Sequence, residues 1–269
     1  MSREAAYFVR DDVDCFLPTA YANSHWGADH LGGPAVVALA ARVLEERYGD
    51  PELRPARLTV DLVRAARTAP TVTEVRAVRD GRRIRTSECD LRQHGQLIAR
   101  ATLVQYRAAE APPGRLWRAE PDLAVPAGLD ERDWSRLGSA AAGWSPTPGD
   151  HQNDSRKRFL HRGFPLVAGQ DNTPLVRAAM VAEATSLVTN LGTHGIGYIN
   201  GDLSVGLTRL PHGEWLGVHA ESHWAHDGIA VGSATLYDDL GPFGTGLVTA
   251  LANPAAQIDF TGVSFAARE

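Results

Sequence analysis

A carboxylate sits where an apolar residue belongs. From Thr173 to Leu191 the chain reads TPLVRAAMVAEATSLVTNL, and counting by threes and fours from Val176 gives Val176, Ala179, Met180, Glu183 and Leu187. Glu183 interrupts that stripe, and its neighbours four residues away, Ala179 and Leu187, bring no cation to neutralise it. Such a carboxyl either has its pKa raised by desolvation or meets a polar partner from another element, and both outcomes suit a catalytic acid or base. The other reading is a slightly rotated helix that brings Glu183 to solvent at a rim.

Two further groups carry chemistry-bearing side chains. His219, Glu221 and His223 alternate along LGVHAESHW and so share one face of a strand. Two histidines and a carboxylate are metal-ligand types, yet same-face neighbours on a strand lie about 6.6 Å apart. The polar face of a sheet, at a subunit contact, is the other reading. Arg79, Arg82, Arg83 and Arg85 crowd one turn, and Arg156, Lys157 and Arg158 follow later. They form either a basic rim for phosphates or surface arginines beside Asp80 and Glu88. A GxSxG elbow, a Gly-rich phosphate loop and a CxxC pair are all missing, so serine hydrolases, nucleotide-cofactor enzymes and redox proteins lose support. No cofactor and no metal are expected.

The elements that must position these groups follow from composition and pattern. With 269 residues, 43% of them hydrophobic, the chain can bury one large core or two small ones. A net charge of -5 argues against nucleic acid as the main partner. Cys15 and Cys89 lack metal-like spacing and read as reduced thiols. The first residues, MSREAAYFVRDDVDCF, are acidic where a signal peptide is apolar, and no segment approaches 18 uninterrupted apolar residues, so a soluble, cytoplasmic protein without membrane contact is expected. Thr173 as cap, Pro174 in the first turn and Gly192 after the last apolar residue predict a single helix around Glu183.

An earlier helix runs from Ala35 to Tyr48, after Gly32-Gly33-Pro34 and before Gly49. Strands are predicted over 58–64, 72–78, 83–91 and 97–107, with a tight hairpin at Asp80-Gly81 and a turn at His94-Gly95. Residues 108 to about 154 dissolve into Pro, Ala, Gly and acids and read as a linker that Trp117, Trp134 and Trp144 pin to a surface. Beyond it, strands are predicted over 157–164, 198–210, 214–224, 228–236 and 246–251, before an aperiodic tail from Asn253. The halves repeat: Leu58–Arg64 matches Leu203–Arg209, Arg79-Asp80-Gly81 matches His226-Asp227-Gly228, and both helices open at a proline, Pro34 and Pro174. The expected organisation is an N-terminal unit over 1–108, a linker over 109–154 and a C-terminal unit over 155–269.

PLVRAAMVAE at 174–183, YINGDLSVGLTRLPHGEWLG at 198–217 and DGIAVGSATLYDDLGPFG at 227–244, with LTVDLVRAA and VRDGRRIRTSECDL in the first half, resemble the TesB-like, thioesterase-II-type superfamily. The likeness spans nearly all of the chain outside linker and tail. It implies an α+β double hotdog, two tandem units that each lay a long helix on an antiparallel sheet. It also implies a helix acid, a strand Thr, Ser or Asn, and a Gln near the last strand, which together hold the water that attacks a thioester. These positions fall on Glu183, on Asn200 and on Val248, with Thr249 beside Val248 as a substitute for the lost Gln. Alternation places Asp202 on the same face as Asn200. The turn at Gly32 and Gly33 either offers backbone N–H groups to the thioester carbonyl or lets the helix pack closely. His30, just ahead of it, is a surface residue, a cap or a site residue, and Arg83 stands for the basic rim that a CoA phosphate needs.

The expected activity is therefore hydrolysis of an acyl-CoA or acyl-carrier-protein thioester by an activated water, in a homo-oligomer. Because Val248 cannot hold water, two alternatives stay open: a dehydratase, isomerase or cyclase acting on a tethered acyl chain, and a non-catalytic acyl-binding protein. The first half has no matching acid at Val43, so one site per chain is expected.

Overall fold

The computed structural model describes residues 5–27, 29–119 and 134–263, with a few positions between 123 and 129. In the first half β1 (Phe8–Asp12) and β2 (Cys15–Pro18) lead to α1 (Gly33–Tyr48), followed by β3 (Leu53–Leu62), β4 (Thr71–Asp80), β5 (Ile84–Gln93) and β6 (Gln96–Arg107). Then come β7 (Ser135–Ser139), β8 (Gly143–Ser145), β9 (Lys157–His161), α2 (Pro174–Ala182), α3 (Ala184–Asn190), and the short β10 (Leu191–Gly192), β11 (Gly195–Ile196) and β12 (Tyr198–Asn200). The chain closes with β13 (Asp202–Leu207), β14 (Leu216–His226), β15 (Ile229–Asp238) and β16 (Gly241–Ala252).

Fourteen of these strands form one sheet, every pair in it antiparallel, so helices packed on an antiparallel sheet are what the fold consists of. The order β2-β4-β5-β6-β3 meets β13-β16-β15-β14-β9, so each half lists its strands as the mirror of the other. At the join Leu58 pairs with Val205, Thr59 with Ser204 and Val60 with Leu203. These are the repeated residues of the two halves, each facing its counterpart across the centre at Thr59 and Ser204. A duplicated strand pairing antiparallel with its own copy gives this register, because an antiparallel pair has a two-fold axis.

The core lies between sheet and helices. α1 packs on β4, β5 and β6 and against α2, while α3 packs on β14, β15 and β16. α2 is apolar on nearly every side, with Leu175, Val176, Ala178, Ala179, Met180, Val181 and Ala182 all buried, as befits a helix enclosed by α1 and the sheet. Burying each of its Leu, Val and Met side chains contributes about 1.5–3 kcal/mol. Thr173 caps α2, accepting from the Val176 N–H at 3.3 Å and donating its hydroxyl to Glu45 of α1. Arg209, from the run shared with the resembled family, grips the buried Asp238 through two hydrogen bonds of 2.6 Å. Burial works against the Asp238 charge, but the Arg209 bonds and the His212 and Leu240 N–H groups outweigh it and hold the carboxyl below its ordinary range.

Several expectations need correction. The helix over 173–191 is interrupted at Glu183 itself: the Ser186 N–H bonds to the Glu183 carbonyl at 3.0 Å, a three-residue spacing that tightens the turn there. Part of the linker is structured, since β7 pairs with both β8 and β9. Trp134 packs on Phe164 and Trp144 lies under Arg158, whereas Trp117 is exposed. The Asp80-Gly81 turn is looser than a two-residue hairpin and has no positive φ, unlike Asp227 and Gly228 at φ 48° and 77°. A bulge between Ala220 and Ser222 breaks the alternation of His219, Glu221 and His223. The tail after Asn253 folds back, with Ile258 hydrogen-bonded to Ile196 and Phe260 buried.

Candidate active site

Glu183 stands at the break between α2 and α3 and lines a cavity of about 800 Å³ that opens between the halves of the chain. Its Oε1 accepts a hydrogen bond from Asn200 Nδ2 at 3.2 Å. Accessible area leaves Glu183 partly exposed, but what it is exposed to is the cavity it lines, and the protein around it displaces most solvent. Burial therefore pushes its carboxyl up from 4.5 to about 7, with the Asn200 bond opposing the rise. Such a group is poised between acid and base at neutral pH.

The N-terminus of α1 abuts this carboxylate. A Cβ on Gly33 would lie 1.9 Å from Glu183 Oε1, so only glycine allows the approach. Of the amides at this helix end, Gly32 N–H donates to the Ala22 carbonyl at 2.7 Å, and Pro34 has none. Gly33 also lines the cavity, and its N–H has no hydrogen-bond partner among the described residues. It is a free donor at the positive end of a helix, in a residue that borders both the cavity and a base.

Asn200 reaches this point because of a one-residue irregularity. In β12 it pairs with Ala250, whose side chain is buried on the inner face; in β13, Ser204 pairs with Leu247. The two registers differ by one residue, and the chain absorbs the difference at Gly201, whose N–H bonds to the Thr249 carbonyl. Asp202 is thereby turned to the outer face, opposite to Asn200. There it accepts from both the N–H and the hydroxyl of Thr249, clipping β13 to β16. Asp202 and Thr249 lie outside the cavity, so neither they nor the alternation that grouped Asp202 with Asn200 contribute to it. Val248 is fully buried and pairs with Gly232, under Thr189 of α3, and it does not line the cavity either.

Gly32, Gly33 and His30 line the cavity with Glu183 and Asn200. The His30 ring packs over Gly27, and its Nδ1 lies 2.9 Å from an Asp29 carboxylate oxygen, close enough for an ion contact but misdirected for a hydrogen bond. Arg83 lies elsewhere, in the turn between β4 and β5, where its carbonyl accepts from Arg107 N–H. The arginine at the cavity is Arg64, exposed and with no ion pair among the described residues. It ends the strand run LTVDLVR, but its place at a cavity depends on packing that no local pattern reports. His161, Ser135 and Ser186 also line the cavity, and sequence reasoning missed all three. Among the described residues no group of three His, Cys, Asp or Glu side chains is arranged to hold a metal ion, and no helix is long and apolar enough to cross a membrane.

At the corresponding place in the first half, the N-terminus of α2 meets α1. There the Thr173 hydroxyl donates to Glu45, Arg42 bonds to Gln170 and to the Asp171 carbonyl, and Arg42 and Arg10 pair with Glu46. Interlocking side chains occupy the position that Glu183, Asn200 and free space occupy in the other.

Family comparisons match this chain to acyl-CoA thioesterases over most of its length. The model of the N-terminal domain matches residues 22–106, and that of the C-terminal domain matches residues 106–250. No curated protein matches the sequence. Among solved structures, the TesB protein of Mycobacterium avium subspecies paratuberculosis superposes with a TM-score of 0.65 at 17% identity, covering 92% of this chain and 96% of that one. Acyl-CoA thioesterase II TesB2 of Mycobacterium marinum gives 0.65 at 19% identity, covering 91% and 95%. A hot dog fold protein of Alicyclobacillus acidocaldarius gives 0.65 at 14% identity, covering 94% and 98%. At these identities the structural likeness speaks to the fold, which is that of a double hotdog.

Proposed function

The chain belongs to the acyl-CoA thioesterase family, whose reaction is the hydrolysis of an acyl thioester, and from that premise we propose that Glu183 is the general base of this chain. The reading rests on one observation: a carboxyl raised to about 7 is held by Asn200 against the free N–H of Gly33 inside a cavity. In this reading the carbonyl oxygen of the thioester accepts from Gly33 N–H, and a water sits between Glu183 and the carbonyl carbon. Glu183 takes a proton from that water as its oxygen bonds to the carbon, and the resulting oxyanion stays on Gly33 N–H. The intermediate then collapses, the carbon–sulfur bond breaks, and Glu183 returns the proton to the departing thiolate. Carboxylic acid and thiol are the products, and the base is regenerated.

Asn200 Nδ2 fixes which carboxylate oxygen faces the water, and that orientation substitutes for the missing Gln at Val248. Only the ionised carboxyl can take the proton, so turnover rises with pH through about 7. In this reading Arg64, exposed and on the cavity wall, meets a phosphate of CoA, a role first expected of Arg83. Within this reading the two hotdog units are residues 1–108 and 155–269, with β7 and β8 of the connecting segment added to the edge of the second unit. Hydrolysis of acyl-CoA substrates by wild type and Glu183→Gln tests the assignment. Loss of the base is expected to lower kcat by about 10²–10⁴-fold, and equal turnover in the two proteins refutes it.

A further inference from the structure

The wall of the cavity beyond Glu183 is not uniformly apolar. His161 of β9 and Ser135 of β7 are paired across their strands, so their side chains leave the sheet on one face about 5 Å apart, and both line the cavity. The Gly163 N–H donates to His161 Nδ1 at 3.1 Å, which makes that nitrogen the acceptor and leaves the ring hydrogen on Nε2. Burial and the neighbouring Arg177 depress the imidazole to about 4, so the ring is neutral and its tautomer is fixed. Neither Nε2–H nor the Ser135 hydroxyl has a partner among the described residues. On the helix side, Ser186 follows Glu183 by three residues across the tightened turn, a rise of about 4.5–6 Å. Its Oγ accepts from Asn190 Nδ2 at 3.5 Å, and its hydrogen is free to point into the cavity.

Three donors therefore face a cavity whose other walls include Phe159, Met180, Leu187 and Phe260. A plain hydrocarbon chain filling that space displaces water from them and leaves them unpaired, whereas an oxygen on the chain restores the bonds. We propose that this cavity selects an acyl group carrying a hydroxyl or keto oxygen, received by His161 Nε2–H with Ser135 and Ser186. The proposal rests on the thioesterase reading for the position of the scissile carbonyl. From the rise between Glu183 and Ser186, the oxygen falls about three to five carbons along the chain from that carbonyl.

The test compares matched CoA thioesters: hexanoyl-CoA against 4-oxo-, 5-oxo- and 5-hydroxyhexanoyl-CoA. Two readouts are taken, kcat/KM with wild type, and Kd with Glu183→Gln, which is expected to bind with turnover lowered by about 10²–10⁴-fold. At least one oxygenated thioester is expected to exceed hexanoyl-CoA by about tenfold or more in both. His161→Phe, which keeps the ring and removes the donor, is expected to bring that ratio close to one, and Ser135→Ala to reduce it in part. Melting temperatures of both variants separate a lost donor from a lost fold, and Ser135→Ala carries the test should His161→Phe fail to fold. Equal or better use of hexanoyl-CoA, or a preference untouched in a folded variant, overturns the proposal. If no thioester is hydrolysed, the thioesterase reading fails, and the Kd ratio still decides the selectivity.

Discussion

Replacing Glu183 with Gln is expected to stabilise the protein at alkaline pH and not at acid pH. The carboxyl titrates near 4.5 in the unfolded chain and at about 7 in the folded one. Below pH 4.5 both states hold the proton, and folding carries no ionisation cost. Between 4.5 and 7 the unfolded state releases the proton while the folded state keeps it, so the unfolded state binds fewer protons and stability falls as pH rises. Above 7 both are ionised and the loss levels off. The distance from 4.5 to about 7, at about 1.36 kcal/mol per unit of pH, comes to about 3 kcal/mol. Gln cannot ionise, and its side-chain carbonyl can still accept from Asn200 Nδ2. Urea unfolding of both proteins from pH 4 to pH 8.5 measures the difference directly, because titrations common to both cancel. A gain for Gln that grows from near its acid value to about 3 kcal/mol more at pH 8 is expected. A difference that stays flat across this range refutes a raised pKa and, with it, the enclosure of Glu183.

Gly33→Ala places a methyl group 1.9 Å from Glu183 Oε1, well inside contact distance, so the carboxylate must move by more than 1 Å. Misplacement of about 1 Å is expected to cost about 10²-fold in kcat, and the overpacking about 1–3 kcal/mol in thermal or urea unfolding; wild-type turnover would mean that Glu183 does not work from this position. Arg64→Glu is expected to raise KM for acyl-CoA severalfold, less so at high salt, and to leave acyl-pantetheine hydrolysis unchanged, since only CoA brings phosphates to the mouth. An equal effect on both substrates removes Arg64 from CoA recognition. Arg209→Met strands the buried Asp238 carboxylate and is expected to cost about 3 kcal/mol at pH 7 and less as pH falls toward the Asp238 pKa, measured by unfolding.

The duplicated unit and its longer strands were legible because those strands alternate, and because Leu58–Arg64 recurs at Leu203–Arg209 with four of seven residues identical. Glu183 was legible for a different reason: an ionisable group on an apolar stripe contradicts its surroundings, and Gly33 before Pro34 marks a helix start. Asn200 came through the family likeness and joined Glu183 in the structure. Asp202 and Thr249 did not, because one bulged residue at Gly201 turns the following strand over, and a bulge of that kind leaves no mark on local pattern. His161 and Ser135 escaped notice since their meeting depends on β7, which lies in a stretch that Pro and Gly made read as a linker. Arg83 and Arg64 were indistinguishable as surface arginines; which of them borders the cavity is settled only by tertiary packing. The same holds for the bonds among Thr173, Glu45, Arg42 and Gln170, which close the corresponding place in the first half.

The most direct test of the base assignment is free-thiol release from short, medium and long acyl-CoAs, followed from pH 5.5 to 8.5 with wild type beside Glu183→Gln. Release by wild type that rises with pH through about 7, and that falls by about 10²–10⁴-fold in the Gln variant, is the expected result. Release that survives the substitution, or that shows no inflection near 7, would contradict a catalytic role for this carboxylate.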